Sequence, residues 1–251
     1  MSIFGHGDRP VFVEEIDCAG SRTVRWRAGA DPVGTLVFCH GFMAQPSDYS
    51  RLLAQVASHG IDVIAPVGHR RGYEALSGRR TVDDEVHDLI AVLDEIGPAT
   101  LGGHSRGAQV AWIVASMADD PRDIVAIDPV DGGGRRPTGP HATVGRGPRG
   151  ASVVVGTKAG GRCAPSGSDH HEFAASSVRG GSTAFPGLPG THLIIDMGHA
   201  DILDPVPRFA GRLICGGRPL PDCARRTVAR ILVSALTGAP LAGGPSAIIV
   251  G

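Results

Sequence analysis

The chain is short of several things, and each shortage excludes something. Lys158 is the sole lysine, and arginine carries the rest of the basic charge, the imprint of a GC-rich coding sequence. The formal net charge is -1, which removes the electrostatic case for nucleic acid or an anionic membrane as partner. Aromatic residues make up 4%, too few to build stacking platforms for bases. No apolar run approaches membrane-spanning length, so no stable membrane insertion is expected. The stretch from Met1 to Pro10 has no basic n-region and no apolar h-region. It is therefore expected to carry no signal peptide, and the cytoplasm is the expected compartment. The five cysteines are odd in number and lack metal-finger spacing. Cys18 and Cys39 fall in or near apparent strands and read as buried thiols. Cys215 and Cys223 flank a short segment and could close a small loop; reduced thiols are the equal alternative. No cofactor and no metal are expected.

Glycine, by contrast, is plentiful at 37 residues, and one glycine pair frames the informative stretch, Gly103-His104-Ser105-Arg106-Gly107. An apolar run, Ala99 to Gly102, precedes it, and Val110, Ile113, Val114 and Met117 follow with helical spacing. Strand, sharp turn and helix form the context a nucleophile elbow needs.

The surrounding chain alternates strands with helices. Val11–Val13 and Thr23–Arg27 read as an early edge hairpin. Thr35–Cys39, Asp62–Ala65, Ile124–Ile127, Ser152–Val155 and Thr191–Ile195 read as buried strands. Helices are expected from Ser47-Asp48 onward, over the segment holding Val82 to Ile96, after the elbow, and from about Ala224 to Leu236. Residues 132–150 and 156–190 read as long loops, the second with a single helical turn near His171-Glu172-Phe173. Ala247–Val250 reads as a docked terminal strand. The expectation is one domain over residues 1–251, a doubly wound, mostly parallel sheet with long loops over its C-terminal edge.

Those loops carry the chemistry. Ser105 is the candidate nucleophile and needs a base. His199, after the last strand, is the candidate; His170 and His171 are its competitors. Asp128 ends its strand directly and is the candidate acid, with Asp131 as the near alternative. The order serine, acid, histidine is that of an α/β-hydrolase. His40-Gly41-Phe42 offers an oxyanion turn, so the amides of Phe42 and Arg106 are the expected oxyanion donors. Phe173 and Phe185 are expected to line an apolar substrate pocket. His192, Asp196 and His199 have helical metal-ligand spacing, but a strand would splay them. Arg70, Arg71, Arg79 and Arg80 read as solvated surface charge.

Several blocks together resemble the chlorophyllase family. They are Gly103–Gly107 with arginine after the serine, Ile127-Asp128-Pro129-Val130-Asp131-Gly132, Cys163-Ala164-Pro165-Ser166-Gly167 with His171-Glu172-Phe173, and Gly198-His199-Ala200-Asp201-Ile202-Leu203-Asp204. Cys215 and Arg225-Arg226 before a helix add to the likeness. The resemblance implies an α/β-hydrolase with Ser105, Asp128 and His199 as triad, releasing phytol from chlorophyll. The chain departs from the pattern in having Ala108 for a second glycine, and no plastid transit peptide is expected. The expected substrate is therefore a small hydrophobic ester, chlorophyll or another. An acyltransferase or thioesterase with the same triad is the alternative, and a non-catalytic binding protein of this fold is a third. The sequence does not fix the oligomeric state.

Overall fold

The computed structural model describes residues 7, 9–68, 81–131, 147–161, 163, 169–188, 192–217, 221–241 and 249–250. The arginines of the 69–80 segment and most of the 132–150 loop lie outside the described residues.

Among the described residues, nine strands form a single sheet: β1 (Phe12–Cys18), β2 (Ser21–Arg27), β3 (Gly34–Cys39), β4 (Ile61–Pro66), β5 (Thr100–His104), β6 (Ile124–Ile127), β7 (Ser152–Ala159), β8 (His192–Gly198) and β9 (Ile249–Val250). Their spatial order is β1-β2-β4-β3-β5-β6-β7-β8-β9. The pairs from β4 through β8 are parallel, while β1, β2 and β9 run antiparallel to their neighbours. β1 and β2 meet across a two-residue turn, Ala19-Gly20, with φ of 52° and 75°. Positive φ at both positions is the hairpin geometry whose twist matches that of the strands. Of the expected terminal strand Ala247–Val250, Ile249–Val250 is described and pairs as β9, while residues 247–248 lie outside the described residues.

The central strands are apolar on both faces because helices cover both. The two-residue period sorts them: Leu36, Phe38, Val125, Ile127, Val153 and Val155 enter one core, while Val37, Cys39, Ile124, Ala126 and Val154 enter the other. Helices α1 (Ser50–Ala57) and α6 (Pro221–Thr237) close the first face. Helices α2 (Val82–Ile96), α3 (Arg106–Met117) and α4 (Asp169–Arg179) close the second. Helix α2 starts on a capping box, with Thr81 accepting from the Asp84 amide and the Asp84 carboxylate accepting from the Thr81 amide. It stops at Gly97, whose φ is 88°. Among the described residues, no helix is long and apolar enough to cross a membrane.

Three expectations are corrected. Residues 156–190 hold more regular structure than expected: β7 runs on to Ala159, and α4 is an eleven-residue helix rather than one turn. Helix α5 (Pro205–Cys215) follows β8, where the sequence suggested none. Its first-turn prolines are compatible with helix because amides there have no intrahelical acceptor. Cys215 is bonded not to Cys223 but to Cys163, and Cys223 is a free, exposed thiol. Cys163 sits just past β7 and Cys215 at the end of α5, where Gly161 packs against the Cys215 carbonyl. Cys18 and Cys39 are buried free thiols as expected.

The link joins positions 52 residues apart, so chain entropy alone assigns it about 4 kcal/mol. Replacing both Cys163 and Cys215 with serine should lower unfolding free energy by about 2–4 kcal/mol in urea titration. Non-reducing peptide mapping of the wild type should recover the Cys163–Cys215 peptide pair, with Cys223 open to alkylation.

Candidate active site

The site begins with a backbone demand. Ser105 lies between β5 and α3 with φ 55° and ψ −125°, a conformation that a residue with a Cβ rarely adopts. The structure holds it there from several sides. The Ser105 amide donates to the Ile127 carbonyl at 3.0 Å, and the Ser105 carbonyl accepts from Ala108 and Gln109. The flanking glycines have no room for a side chain. A Cβ on Gly103 would stand 2.5 Å from the Gly107 carbonyl oxygen, and one on Gly107 would stand 2.2 Å from that of Cys39. The glycines therefore let α3 start directly against β5 and β3. The serine is presented at the C-terminal edge of the sheet, and the Arg106 amide opens the helix beside it.

Asp128 ends β6 and also has positive φ, 41°. Its amide donates to the Val155 carbonyl. Its Oδ2 lies 2.6 Å from Nδ1 of His199 and accepts from the Thr157 hydroxyl at 2.9 Å. Both Asp128 and His199 are buried. Burial pushes the Asp128 carboxyl up, but the hydrogen bond and charge of His199 and the Thr157 hydroxyl outweigh it and hold the group below its usual value. Asp131 is engaged elsewhere: its carboxylate accepts from Gln109 at 2.6 Å, and its amide donates to Asp169.

His199 sits on a tight turn after β8. The Asp201 carboxylate accepts from the Gly198 amide at 2.7 Å, and Arg208 of α5 donates to the same carboxylate at 3.0 Å. Asp201 is fully buried, so this charge-assisted pair fixes the turn. The His199 ring lies 4.5 Å from that of His104, the residue before Ser105. His104 is itself held by Tyr49. The Gly41 amide donates to the Tyr49 hydroxyl, which leaves the phenol proton for Nδ1 of His104, 2.8 Å away. Nε2 of His104 faces the His199 backbone without a well-formed hydrogen bond. Burial, then the neighbouring His199 charge, drives the His104 pKa well below the ordinary histidine value.

Gly41 packs at the elbow, where a Cβ would meet Ser105 Cβ at 3.3 Å. The turn Gly41–Ala44 closes with the Ala44 amide on the Gly41 carbonyl, and Met43 has φ 60°. Phe42, the residue after Gly41, lies at the margin of exposure. The Arg106 guanidinium lies 5.9 Å from the centre of its ring and pairs with Glu85 of α2 at 2.9 Å.

Two expected pocket residues are elsewhere. Phe173 is 1% exposed and packs edge-on against Trp112 in the core beneath α4. Phe185 is 3% exposed and belongs to the core on the opposite face. Both are corrected from substrate-lining to core residues, because sheet-covering helices claim their surfaces. His170 and His171 open α4 and do not contact Asp128 by hydrogen bond among the described interactions. His192 starts β8, whereas His199 follows its end, about 20 Å along the strand, so the His192-Asp196-His199 triplet does not converge. Sequence reasoning missed Thr157, Tyr49, Glu85 and the Asp201–Arg208 pair. Only Asp201 left a trace, inside the Gly198–Asp204 block.

The chlorophyllase family model matches residues 25–244. Chlorophyllase-2 of Arabidopsis thaliana is 29% identical over 67% of this chain and 60% of its own length. The chain thus spans less than two thirds of that relative. Chlorophyllase-1 of Citrus sinensis, described as chloroplastic, is 27% identical over 83% of the chain and 69% of its own. A hormone-sensitive lipase from a metagenome library superposes with a TM-score of 0.62 at 12% identity, covering 93% of this chain and 86% of that one. That likeness establishes the α/β-hydrolase fold.

The buried neutral His104 generates a pH test. Its folded pKa is depressed, so below about pH 6.5 the unfolded chain takes up a proton that the folded chain refuses. Stability should therefore fall with acidification by about 1.4 kcal/mol per pH unit from this residue. Below about pH 6, where the unfolded histidine is mostly protonated, urea unfolding should show a slope shallower by about that amount in His104→Gln.

Proposed function

The chain belongs to the chlorophyllase family, and from that premise we propose that it is a serine carboxylic-ester hydrolase with Ser105, His199 and Asp128 as its triad. The observation that carries this reading is the 2.6 Å Asp128–His199 contact, with the His199 ring centred 4.5 Å from that of the elbow residue His104. Asp128 engages Nδ1, which leaves Nε2 of His199 for the serine proton. Ser105 Oγ attacks the acyl carbonyl carbon while Nε2 takes its proton. The oxyanion that forms is met by the Arg106 and Phe42 amides, each such donor worth about 3 kcal/mol at the transition state. The intermediate collapses, the alcohol leaves with the proton from His199, and water then releases the acid by the same steps in reverse order.

The substrate in this proposal is a hydrophobic ester, with chlorophyll as the first to try because of the relatives' names. The apolar-pocket argument no longer rests on Phe173 and Phe185. Exposed Phe42 and Met43, beside the elbow, are the described apolar surface that a greasy acyl or alcohol group would meet. The cytoplasmic expectation is set against the Cys163–Cys215 bond, since disulfides persist in oxidising compartments; the mapping above bears on both.

A hydrolysis panel tests the reading: p-nitrophenyl esters of rising chain length, chlorophyll a, and an acyl thioester. Ester turnover is expected, and a chain active on the thioester alone would favour the acyl-transfer alternative. Ser105→Ala should abolish turnover while leaving circular dichroism unchanged. Asp128→Asn should lose about 10⁴ in kcat, and Asp131→Asn far less. The reverse ranking would reassign the acid.

A further inference from the structure

Three histidines that the proposed reaction leaves unused stand together. His170 and His171 open α4, and His192 opens β8. Both elements flank β7. Helix α4 lies so close to it that a Cβ on Gly156 would stand 2.4 Å from His170 Nδ1. One ring nitrogen from each histidine lies within 4.8 Å of the other two. His170 Nδ1 and His192 Nε2 are 2.9 Å apart. The ring centres are separated by 4.3, 5.1 and 4.7 Å. His170 and His192 are buried, and His171 is exposed.

The chemistry of this cluster is that of a cation ligand set. Burial first, then the neighbouring imidazoles, pushes His192 down to about 4, and burial lowers His170 as well. Neutral imidazole is the form that binds a metal, and three imidazole rings meet here within bonding reach of one ion. We propose that His170, His171 and His192 form a binding site for a zinc-type divalent cation, separate from Ser105.

Tetrahedral zinc with bonds of about 2.0–2.1 Å sets its nitrogens about 3.3 Å apart. The His170–His192 pair must open slightly from 2.9 Å, and the widest separation must close from 4.8 Å. Rotation of the exposed His171 side chain supplies most of that change. The pair now shares one proton across its contact. When the cation enters, that proton moves to the far nitrogen of the same ring, so none is released. Water completes the coordination through the exposed side of His171. Three imidazoles suit zinc, nickel or copper and reject magnesium and calcium. The bound ion ties the start of α4 to the start of β8. It also holds His170 over Gly156, one residue before Thr157, whose hydroxyl donates to Asp128.

The test uses the untagged full chain in isothermal titration with zinc chloride, followed by thermal unfolding. One saturable site per chain and a raised Tm are expected, with no response to magnesium. Cobalt(II) should give the intense visible bands of a tetrahedral nitrogen site. His171→Ala, at an exposed position, should keep the metal-free Tm yet weaken zinc binding by at least about tenfold. His192→Gln should do the same if it folds. Ser105→Ala should bind zinc as the wild type does, so the site stands or falls independently of the hydrolase reading. The proposal is overturned if the wild type shows no saturable zinc binding, or if His171→Ala binds zinc as tightly as the wild type.

Discussion

The rest of this structure depends on how closely α3 crosses the ends of β5 and β3. Gly107 lies against the carbonyl oxygens of Cys39 and His40, at distances where any side chain would collide with backbone. Gly103 lies against Gly107 itself. This approach forces the chain to reverse in one residue, and Ser105 takes the cost as a positive φ worth of order 1–3 kcal/mol. The two cores, five covering helices and parallel register repay it. The same crossing sets Gly41 beside Ser105 and starts α3 at Arg106, so a backbone constraint also positions the elbow.

Around that crossing, charge and polarity are buried in pairs. Arg106 with Glu85, Asp201 with Arg208, and Asp128 with His199 each place a charged group where water is scarce. Buried pairs of this kind add little net stability, but removing one partner is costly. Their value is orientation. Asp201 and Arg208 fix the turn that carries His199, Thr157 and His199 share the Asp128 oxygen, and Tyr49 fixes the His104 ring against which His199 rests. None of these groups can move far without leaving another unsatisfied.

Much of this was legible in the residues, for physical reasons. Continuous apolar runs such as Leu36–Cys39 and Ile124–Ile127 mark strands covered on both faces, and they are. The elbow glycines and the strand-ending aspartate are local signals. What escaped was non-local or atypical. Helix α4 begins Asp-His-His-Glu and presents few apolar residues, so its periodicity is faint. Helix α5 turns Val206, Phe209 and Leu213 outward at 83%, 70% and 77% exposure, the reverse of the usual pattern. Phe173 and Phe185 looked like pocket residues only while their segment looked like loop. The partner of Cys215 is set by where β7 and α5 end, which spacing does not encode. Glu85 and Arg106 meet from different helices, a contact that neither sequence neighbourhood announces.

The central claim is that Ser105 is an activated nucleophile. Covalent labelling with a p-nitrophenyl phosphonate, read by intact mass and peptide mapping, tests it most directly. The account predicts one adduct per chain, on Ser105, formed at neutral pH and slowed strongly in His199→Gln. A chain that hydrolyses esters while Ser105 stays unlabelled, or that is labelled at another serine, would contradict it.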